Sequence, residues 1–207
     1  MQTIAINSLT GLKYLPEYFD KTAQEALLAE VRAIVGEAPL FQPVMPKTGK
    51  PFSVKMSNCG PLGWVSDIDG YRYQPNHPVS GQIWPAIPAH LLELWKVVAP
   101  DAPEPEACLI NFYDPTARMG LHQDRDEAML EAPVVSVSLG DTATFRVGGT
   151  NRKDPTKSFR LSSGDVVVLG GDARLAYHGI DRILGGTSKL LKNGGRINLT
   201  LRRVTAP

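Results

Sequence analysis

The sequence predicts a mainly β protein with flanking helices, an α+β fold whose strands form a sandwich or jelly roll. Six short segments in the second half are rich in apolar and β-branched residues, and turns such as Asp-Pro, Gly-Asp and Asn-Gly-Gly separate them. No helical pattern lies between these segments, which are residues 108–113, 134–139, 143–147, 158–161, 166–169 and 196–204.

The first half predicts two helices with short hairpins between them. A helix is expected at residues 21–35, because Asp20 can cap its N-terminus and Gly36 can end it. A second helix is expected at residues 88–98. Residues 40–88 are dense in Gly, Pro, Asn and aromatic residues, which indicates loops and hairpins that display aromatic side chains.

An acidic, proline-rich connector at residues 99–106 precedes the change from helical to strand-like sequence. The sequence therefore predicts an N-terminal region, residues 1–106, packed on a strand-rich core, residues 107–207. The two regions are expected to form one compact unit.

Composition limits the functional classes and the compartment. No run approaches the roughly 18 apolar residues of a membrane span, so no membrane association is expected. Cys59 and Cys108 have no metal-ligand spacing, which favours a reducing, cytoplasmic location. Residues 146–207 carry 12 Lys and Arg against 4 Asp and Glu, which suggests a polyanionic partner. The alternative is that some arginines are buried in a site and the others are ordinary surface residues.

A candidate metal site involves His122, Asp124 and His178. On an extended segment, residues i and i+2 project to one side, so His122 and Asp124 can bind one ion. With His178 they give the two imidazoles and one carboxylate that non-haem iron(II) oxygenases use. Zinc hydrolases also use two histidines and a carboxylate, so these residues alone leave the metal open.

The last predicted strand places polar and apolar residues on opposite faces. Ile197, Leu199 and Leu201 alternate with a polar set that includes two arginines: Arg196, Asn198, Thr200 and Arg202. Two buried arginines need anionic partners, and a small dicarboxylate next to the metal would supply them. The alternative is an edge strand whose polar face meets water.

These motifs together resemble the AlkB family of DNA-repair dioxygenases. The resemblance rests on CLINFY at 108–113, LHQDRDE at 121–127, YHGI at 177–180 and the R-x-N-x-T-x-R strand at 196–202. It extends upstream to about residue 55 through Asn58-Cys59-Gly60, Leu62-Gly63-Trp64 and Gly70-Tyr71. It implies a double-stranded β-helix (jelly roll) core, with residues 1–106 supplying an N-terminal nucleotide-recognition extension.

The resemblance also implies a role for each matching residue. His122, Asp124 and His178 would form the catalytic iron(II) site, where dioxygen also reacts. The side chains expected to bind the co-substrate 2-oxoglutarate are Asn111, Tyr113, Arg196, Asn198 and Arg202. Those expected to contact the nucleotide are Trp64, Tyr71, Asp126, Glu127 and Arg152.

The implied activity is oxidative demethylation of 1-methyladenine and 3-methylcytosine in DNA, with RNA as a second candidate. Formaldehyde, succinate and carbon dioxide would be released. The target base would be flipped out of a duplex or presented by a single strand. Basic residues of the second half would contact phosphates, namely Arg152, Lys153, Lys157 and Arg160. A monomer is expected.

Two alternatives stay open at this point. One is a 2-oxoglutarate oxygenase that hydroxylates a protein or a small molecule. The other is a metal-containing β-sandwich binding module without redox chemistry. The sequence also departs from bacterial members of the family at Leu169, where they carry a tryptophan.

Overall fold

The computed structural model describes residues 2–3 and 10–206. In the first half of the described chain lie the strands β1 (Gln2–Thr3), β2 (Leu12–Leu15), β3 (Lys55–Cys59), β4 (Gly63–Asp67) and β5 (Gly70–Gln74), and the helices α1 (Lys21–Glu37) and α2 (Ala89–Val98). The second half contains β6 (Ala107–Tyr113), β7 (Met119–His122), β8 (Val134–Gly140), β9 (Thr142–Val147), β10 (Lys157–Leu161), β11 (Val166–Leu169), a 3-10 helix (Gly171–Leu175), β12 (His178–Leu184) and β13 (Arg196–Arg202).

Two antiparallel sheets form the jelly roll that the sequence predicts. The large sheet has the strand order β1-β2-β11-β8-β13-β6-β3, and the small sheet has the order β10-β9-β12-β7. The strands β4 and β5 form a separate hairpin. Neighbours within a sheet are often distant in sequence, as expected for a jelly roll.

The large sheet is buried on both faces. Residues of its outer face pack with α1 and α2 in one apolar cluster that includes Leu27, Leu94 and Trp95. Residues of its inner face pack against the small sheet in a second cluster. In β11, Val166 and Val168 belong to the outer cluster, whereas Val167 and Leu169 belong to the inner one. Double burial explains why β11 is apolar at every position.

The helices agree with the predictions except at their ends. The Asp20 carboxylate accepts from the Ala23 backbone N–H at 2.8 Å and caps α1 as expected. Helix α1 continues to Glu37, two residues beyond the predicted end, so Gly36 lies inside its last turn. Helix α2 begins at Ala89 rather than residue 88.

Each of the six predicted strands is present, and the last one ends at Arg202 rather than residue 204. Among the described strands, β1, β2, β3, β7 and β12 were not predicted individually. Two of them, β2 and β3, join the large sheet through β11 and β6. The large sheet thus includes strands from both sides of the predicted boundary between residues 106 and 107.

Within the described chain, no helix is long and apolar enough to cross a membrane. Both α-helices instead place their apolar sides on the large sheet.

Strand β13 is central in the large sheet, so its apolar residues should contribute strongly to stability. Leu199, a residue of β13, is fully buried where the outer face of the large sheet packs against the helices. We expect Leu199→Ala to lower the free energy of unfolding by about 2–5 kcal/mol, because it leaves a cavity that the sheet cannot close. Val97→Ala, at an exposed position of α2, should change it by less than about 0.5 kcal/mol. Urea denaturation checks both values, and equal losses would contradict the assignment of the core.

Candidate metal and 2-oxoglutarate site

The pairing of β7 with β12 brings the three predicted metal ligands together. His122 ends β7, His178 begins β12, and the two residues face each other in register. Their ring centroids lie 4.5 Å apart. The Nε2 atom of each imidazole lies 3.7 Å from a different carboxylate oxygen of Asp124. One ligand atom from each residue lies within 4.8 Å of the others, a spacing that one metal ion can bridge.

Backbone carbonyl groups orient both imidazoles. The His122 Nδ1 atom lies 3.0 Å from the Gly120 oxygen, and the His178 Nδ1 atom lies 2.9 Å from the Ala176 oxygen. A carbonyl oxygen only accepts, so each Nδ1 carries the hydrogen and each Nε2 keeps its lone pair for a metal. Burial lowers the pKa of His178 to about 4, which leaves this imidazole uncharged at neutral pH.

Asp124 supplies the negative charge of the triad. Burial alone would raise the pKa of its carboxyl group, but the Arg202 guanidinium and the two imidazoles outweigh burial and hold it well below its usual range. The buried Oδ2 atom has no hydrogen-bond donor among the described residues. Two imidazoles, an ionised carboxylate and an unused oxygen fit iron(II).

Arg196 is a buried cation with unused hydrogen-bond donors. Its side chain is 1% exposed, and its Nη2 atom donates to Ser138 Oγ at 2.9 Å. In the described chain its Nε and Nη1 atoms have no acceptor. Burial lowers the pKa of Arg196 to about 10, and the neighbouring Tyr113 only partly offsets this effect. Such a side chain requires an anion, which a carboxylate of 2-oxoglutarate would provide.

Arg202, in contrast, already has protein partners. Its Nη2 atom donates to Asp124 Oδ1 at 2.9 Å, and its Nη1 atom donates to the Tyr73 hydroxyl at 3.1 Å. Its Nε atom lies 3.5 Å from Glu127 Oε1. The two arginines of β13 are therefore unequal: Arg196 offers free donors, and Arg202 is tied to a metal ligand.

All the predicted site residues line one cavity of about 470 Å³. The cavity lies between the two sheets and opens beside the β4–β5 hairpin. Its lining includes the metal triad, the expected 2-oxoglutarate residues Asn111, Tyr113, Arg196, Asn198 and Arg202, and the expected nucleotide residues Trp64, Tyr71, Asp126, Glu127 and Arg152. Leu169 also lines it, from the inner face of β11.

The hairpin places two aromatic rings at the cavity. The Trp64 and Tyr71 rings stack with centroids 5.4 Å apart and an angle of 22° between their planes. The Trp64 Nε1–H donates to Asp126 Oδ2 at 2.9 Å, which orients both side chains. Across the cavity, Arg152 Nη1 donates to the Leu121 carbonyl at 3.2 Å.

Glu127 is expected to contact the nucleotide, but its carboxylate is buried and already has protein partners. The residue is 6% exposed, and its Oε2 atom lies 3.0 Å from Arg174 Nη2. Its Oε1 atom accepts from the Tyr73 hydroxyl. The carboxylate thus has protein partners, whereas Asp126 is exposed.

Sequence reasoning missed two residues of this site, Tyr73 and Arg174. Tyr73 could have been found from Tyr71, since alternate residues of a strand share a face. Arg174 lies in a 3-10 helix and forms no pattern with the other site residues. Only the fold brings it to Glu127.

Comparison with known protein families identifies the enzyme class to which this protein belongs. Residues 11–202 match the 2OG-Fe(II) oxygenase superfamily, so the chain belongs to that superfamily. Membership of this superfamily identifies the metal, which the three ligands alone left open between iron(II) and zinc. The protein is an iron(II)- and 2-oxoglutarate-dependent dioxygenase that uses O2, rather than a zinc hydrolase or a binding module without redox chemistry.

Individual relatives then give the family. The chain is 54% identical to an α-ketoglutarate-dependent dioxygenase AlkB homolog of Caulobacter vibrioides over 98% of this chain and 93% of that protein. It is 44% identical to the α-ketoglutarate-dependent dioxygenase AlkB of Escherichia coli, over 89% and 87% of the two chains. The solved structure of OsALKBH1 superimposes on this chain with a TM-score of 0.78 and 31% sequence identity. The superposition covers 93% of this chain and 98% of the OsALKBH1 chain. The chain belongs to the AlkB family.

The strands β12 and β7 approach each other closely at Gly179, so a side chain at this position should weaken metal binding. A Cβ atom at Gly179 would lie 2.5 Å from the Met119 oxygen and 2.9 Å from the Gly120 oxygen. We expect Gly179→Ala to separate the strands that carry the two histidines and to weaken metal binding about tenfold or more. Gly120→Ala is the matched control, because a Cβ there meets nothing within 4 Å. Calorimetric titration with Mn(II) measures both, and equal affinities would contradict this role of the strand contact.

The unused donors of Arg196 predict a strong effect on 2-oxoglutarate binding. Charge-assisted hydrogen bonds contribute about 1.5–3 kcal/mol each, so Arg196→Gln should weaken binding about 10- to 100-fold. The free energy of unfolding without ligand should not decrease, because a buried cation without an anionic partner is removed. Arg203→Gln, just beyond the end of β13 and paired with Glu106, should leave affinity unchanged. Titration of the Mn(II)-loaded protein measures these affinities, and an unchanged value for Arg196→Gln would exclude it as a carboxylate ligand.

Proposed function

We propose that this protein is an oxidative demethylase that repairs N-alkylated bases, with 1-methyladenine and 3-methylcytosine in DNA as its expected substrates and RNA as a second candidate. Membership of the AlkB family supports this activity. The single observation that carries the proposal is the arrangement at the cavity mouth. An indole ring and an exposed carboxylate, joined by a hydrogen bond, line the same cavity as the metal ligands.

When bound, iron(II) and 2-oxoglutarate would supply the oxidising chemistry that uses dioxygen to hydroxylate an N-methyl group. The N-hydroxymethyl product would then lose formaldehyde, and succinate and carbon dioxide would be the other products. The residues of this chain bind and orient the reactants. Arg196 binds a carboxylate end of 2-oxoglutarate through its unused donors, and Arg202 is the candidate for the other end. Tyr113 and Asn198 line the same wall and complete its polar contacts.

The base is held by an aromatic slot. Trp64 forms one wall of the slot, and the His122 imidazole is the candidate for the opposite wall. Stacking of a base on an aromatic side chain contributes roughly 1–3 kcal/mol. The Trp64 Nε1–H bond to Asp126 fixes the plane of the indole, so the slot exists before the base enters.

Asp126 supports selectivity for alkylated bases. 1-Methyladenine and 3-methylcytosine carry a positive charge near neutral pH, whereas the unmodified bases do not. A carboxylate at the base edge therefore attracts the lesion more strongly than the normal base. Glu127 has protein partners, so we assign base recognition to Asp126.

A nucleic acid must present its base outside the helical stack to reach the iron. A base in a duplex cannot reach a site between two sheets, so the substrate is a single strand or a flipped nucleotide. Tyr71 and Arg152 flank the cavity and are the candidates for contacts to that nucleotide. The predictions of a monomer and of a cytoplasmic location remain predictions.

The alternative substrate, a protein side chain or a small molecule, is not favoured. Family membership and the stacked rings at the cavity support a planar aromatic substrate instead. Three of the twelve Lys and Arg in residues 146–207 are buried, namely Arg174, Arg196 and Arg202. The remaining basic residues still favour a polyanion such as nucleic acid.

Formaldehyde release from a methylated oligonucleotide is the direct test. The wild-type protein should release formaldehyde and succinate in equal amounts from a single strand that contains 1-methyladenine. Loss of stacking in Trp64→Ala should reduce kcat/KM for this substrate about 5- to 150-fold. Succinate formed without oligonucleotide should not change, since Trp64 has no part in binding 2-oxoglutarate. Tyr18→Ala, an exposed aromatic outside the cavity, is the control. If the wild-type protein releases no formaldehyde from any methylated oligonucleotide, the proposed function is wrong.

The basic surface predicts a salt-dependent affinity. Arg152, Lys153, Lys157 and Arg160 are the proposed phosphate contacts, and exposed Arg182 lies across Thr144 from Arg160 in the small sheet. We expect Lys153→Ala and Arg160→Ala each to lower the slope of log affinity against log salt by about one. Lys21→Ala, on α1, should leave the slope unchanged. Fluorescence anisotropy at several salt concentrations measures the slope, and a flat dependence in the wild-type protein would exclude this surface.

A further inference from the structure

A buried ion pair lies behind the metal site, outside the set of residues that bind iron or 2-oxoglutarate. The Arg174 Nη2 atom lies 3.0 Å from Glu127 Oε2, and the two side chains are 4% and 1% exposed. Burying two charges costs free energy that their attraction often only balances, so such a pair is weak evidence for a role in stability. Its position suggests a different role.

Arg174 also binds the main chain around the metal ligand Asp124. Its Nη1 atom donates to the Asp124 carbonyl at 2.5 Å, and its Nε atom donates to the Ala132 carbonyl at 2.8 Å. Together with Glu127, these contacts span the whole loop that follows β7. Because Arg174 lies four residues before His178, it joins the loop that carries one ligand to the segment that leads into another.

Glu127 continues the network towards the arginine of β13. Its Oε1 atom accepts from the Tyr73 hydroxyl and lies 3.5 Å from Arg202 Nε. Arg202 in turn donates to Asp124 Oδ1 at 2.9 Å. The four charged residues form a closed circuit in which Arg174 and Arg202 balance Asp124 and Glu127. The circuit reaches Asp124 twice, once at its carbonyl and once at its carboxylate.

We propose that Arg174 and Glu127 are positioning residues that set the orientation of Asp124 for metal binding and of Arg202 beside it. Neither side chain is a metal ligand, and the carboxylate of Glu127 is used by protein donors. The pair fixes one point of the Asp124 backbone, and Arg202 fixes its side chain. Rotation of Asp124 away from the two imidazoles would then require the circuit to open.

The test separates orientation from stability by removing the charges in two steps. Arg174→Met leaves Glu127 as a buried charge with its main partner gone, so the thermal unfolding midpoint should fall. The double variant Arg174→Met with Glu127→Gln removes both charges and should recover most of that midpoint. Metal binding should not recover, because the Asp124 carbonyl still lacks its donor. We expect the Mn(II) dissociation constant of the double variant to stay about 10- to 100-fold above that of the wild-type protein.

The matched control is Glu106→Gln, which weakens a polar cluster whose residues do not line the cavity. Glu106 accepts from the backbone N–H groups of Val204 and Thr205 and lies 3.5 Å from Arg203. This variant should lower the unfolding midpoint and leave the Mn(II) dissociation constant unchanged. All measurements use the full chain with Mn(II) alone, without nucleic acid or turnover. The result is therefore independent of whether the proposed substrate is correct.

Two outcomes would overturn the proposal. If metal affinity returns with stability in the double variant, the pair has only a structural role. If Glu106→Gln weakens metal binding as much as the double variant does, affinity follows global stability and no specific positioning exists. A double variant that is stable but binds Mn(II) weakly is the result that the proposal requires.

Discussion

The burial of charge between two apolar sheets is the constraint on which the rest of this structure depends. The cavity contains two guanidinium groups and the carboxylates of Asp124 and Glu127, and each is nearly inaccessible to water. Three of these four groups, Arg202, Asp124 and Glu127, neutralise one another together with Arg174. Among the described residues, Arg196 has no anionic partner in hydrogen-bond contact. A buried cation without an anionic partner favours binding of an anionic ligand, and the co-substrate 2-oxoglutarate is a dianion.

The architecture makes that burial possible. The helices cover the outer face of the large sheet, so the apolar residues of β13 point towards them and its polar residues face the cavity. The small sheet closes the other side and supplies both histidines from adjacent strands. One strand pair therefore carries the two histidines, and one strand face carries the residues proposed to bind 2-oxoglutarate. The hairpin β4–β5 adds the stacked rings of Trp64 and Tyr71.

The local sequence was sufficient for much of this description. Alternation along residues 196–202 separated the arginines from the core residues, and the i, i+2 spacing of His122 and Asp124 placed them on one side. Strands with buried faces were found because valine and isoleucine recur in them. The strands β7 and β12 were missed, since His122 and His178 with their glycine neighbours have little strand propensity, and pairing in the sheet decides their conformation.

Local sequence was enough to predict the His122–Asp124 pair, the polar face of β13 and the aromatic hairpin, because each depends on residues close together in the chain. The tertiary structure alone decided that Arg202 is tied to Asp124 whereas Arg196 is free, and that Glu127 pairs with Arg174 instead of facing the cavity mouth as Asp126 does. Charged groups form ion pairs with the groups that lie closest in space. For residues far apart in sequence, that closeness depends on how the whole chain packs, so local sequence cannot predict it.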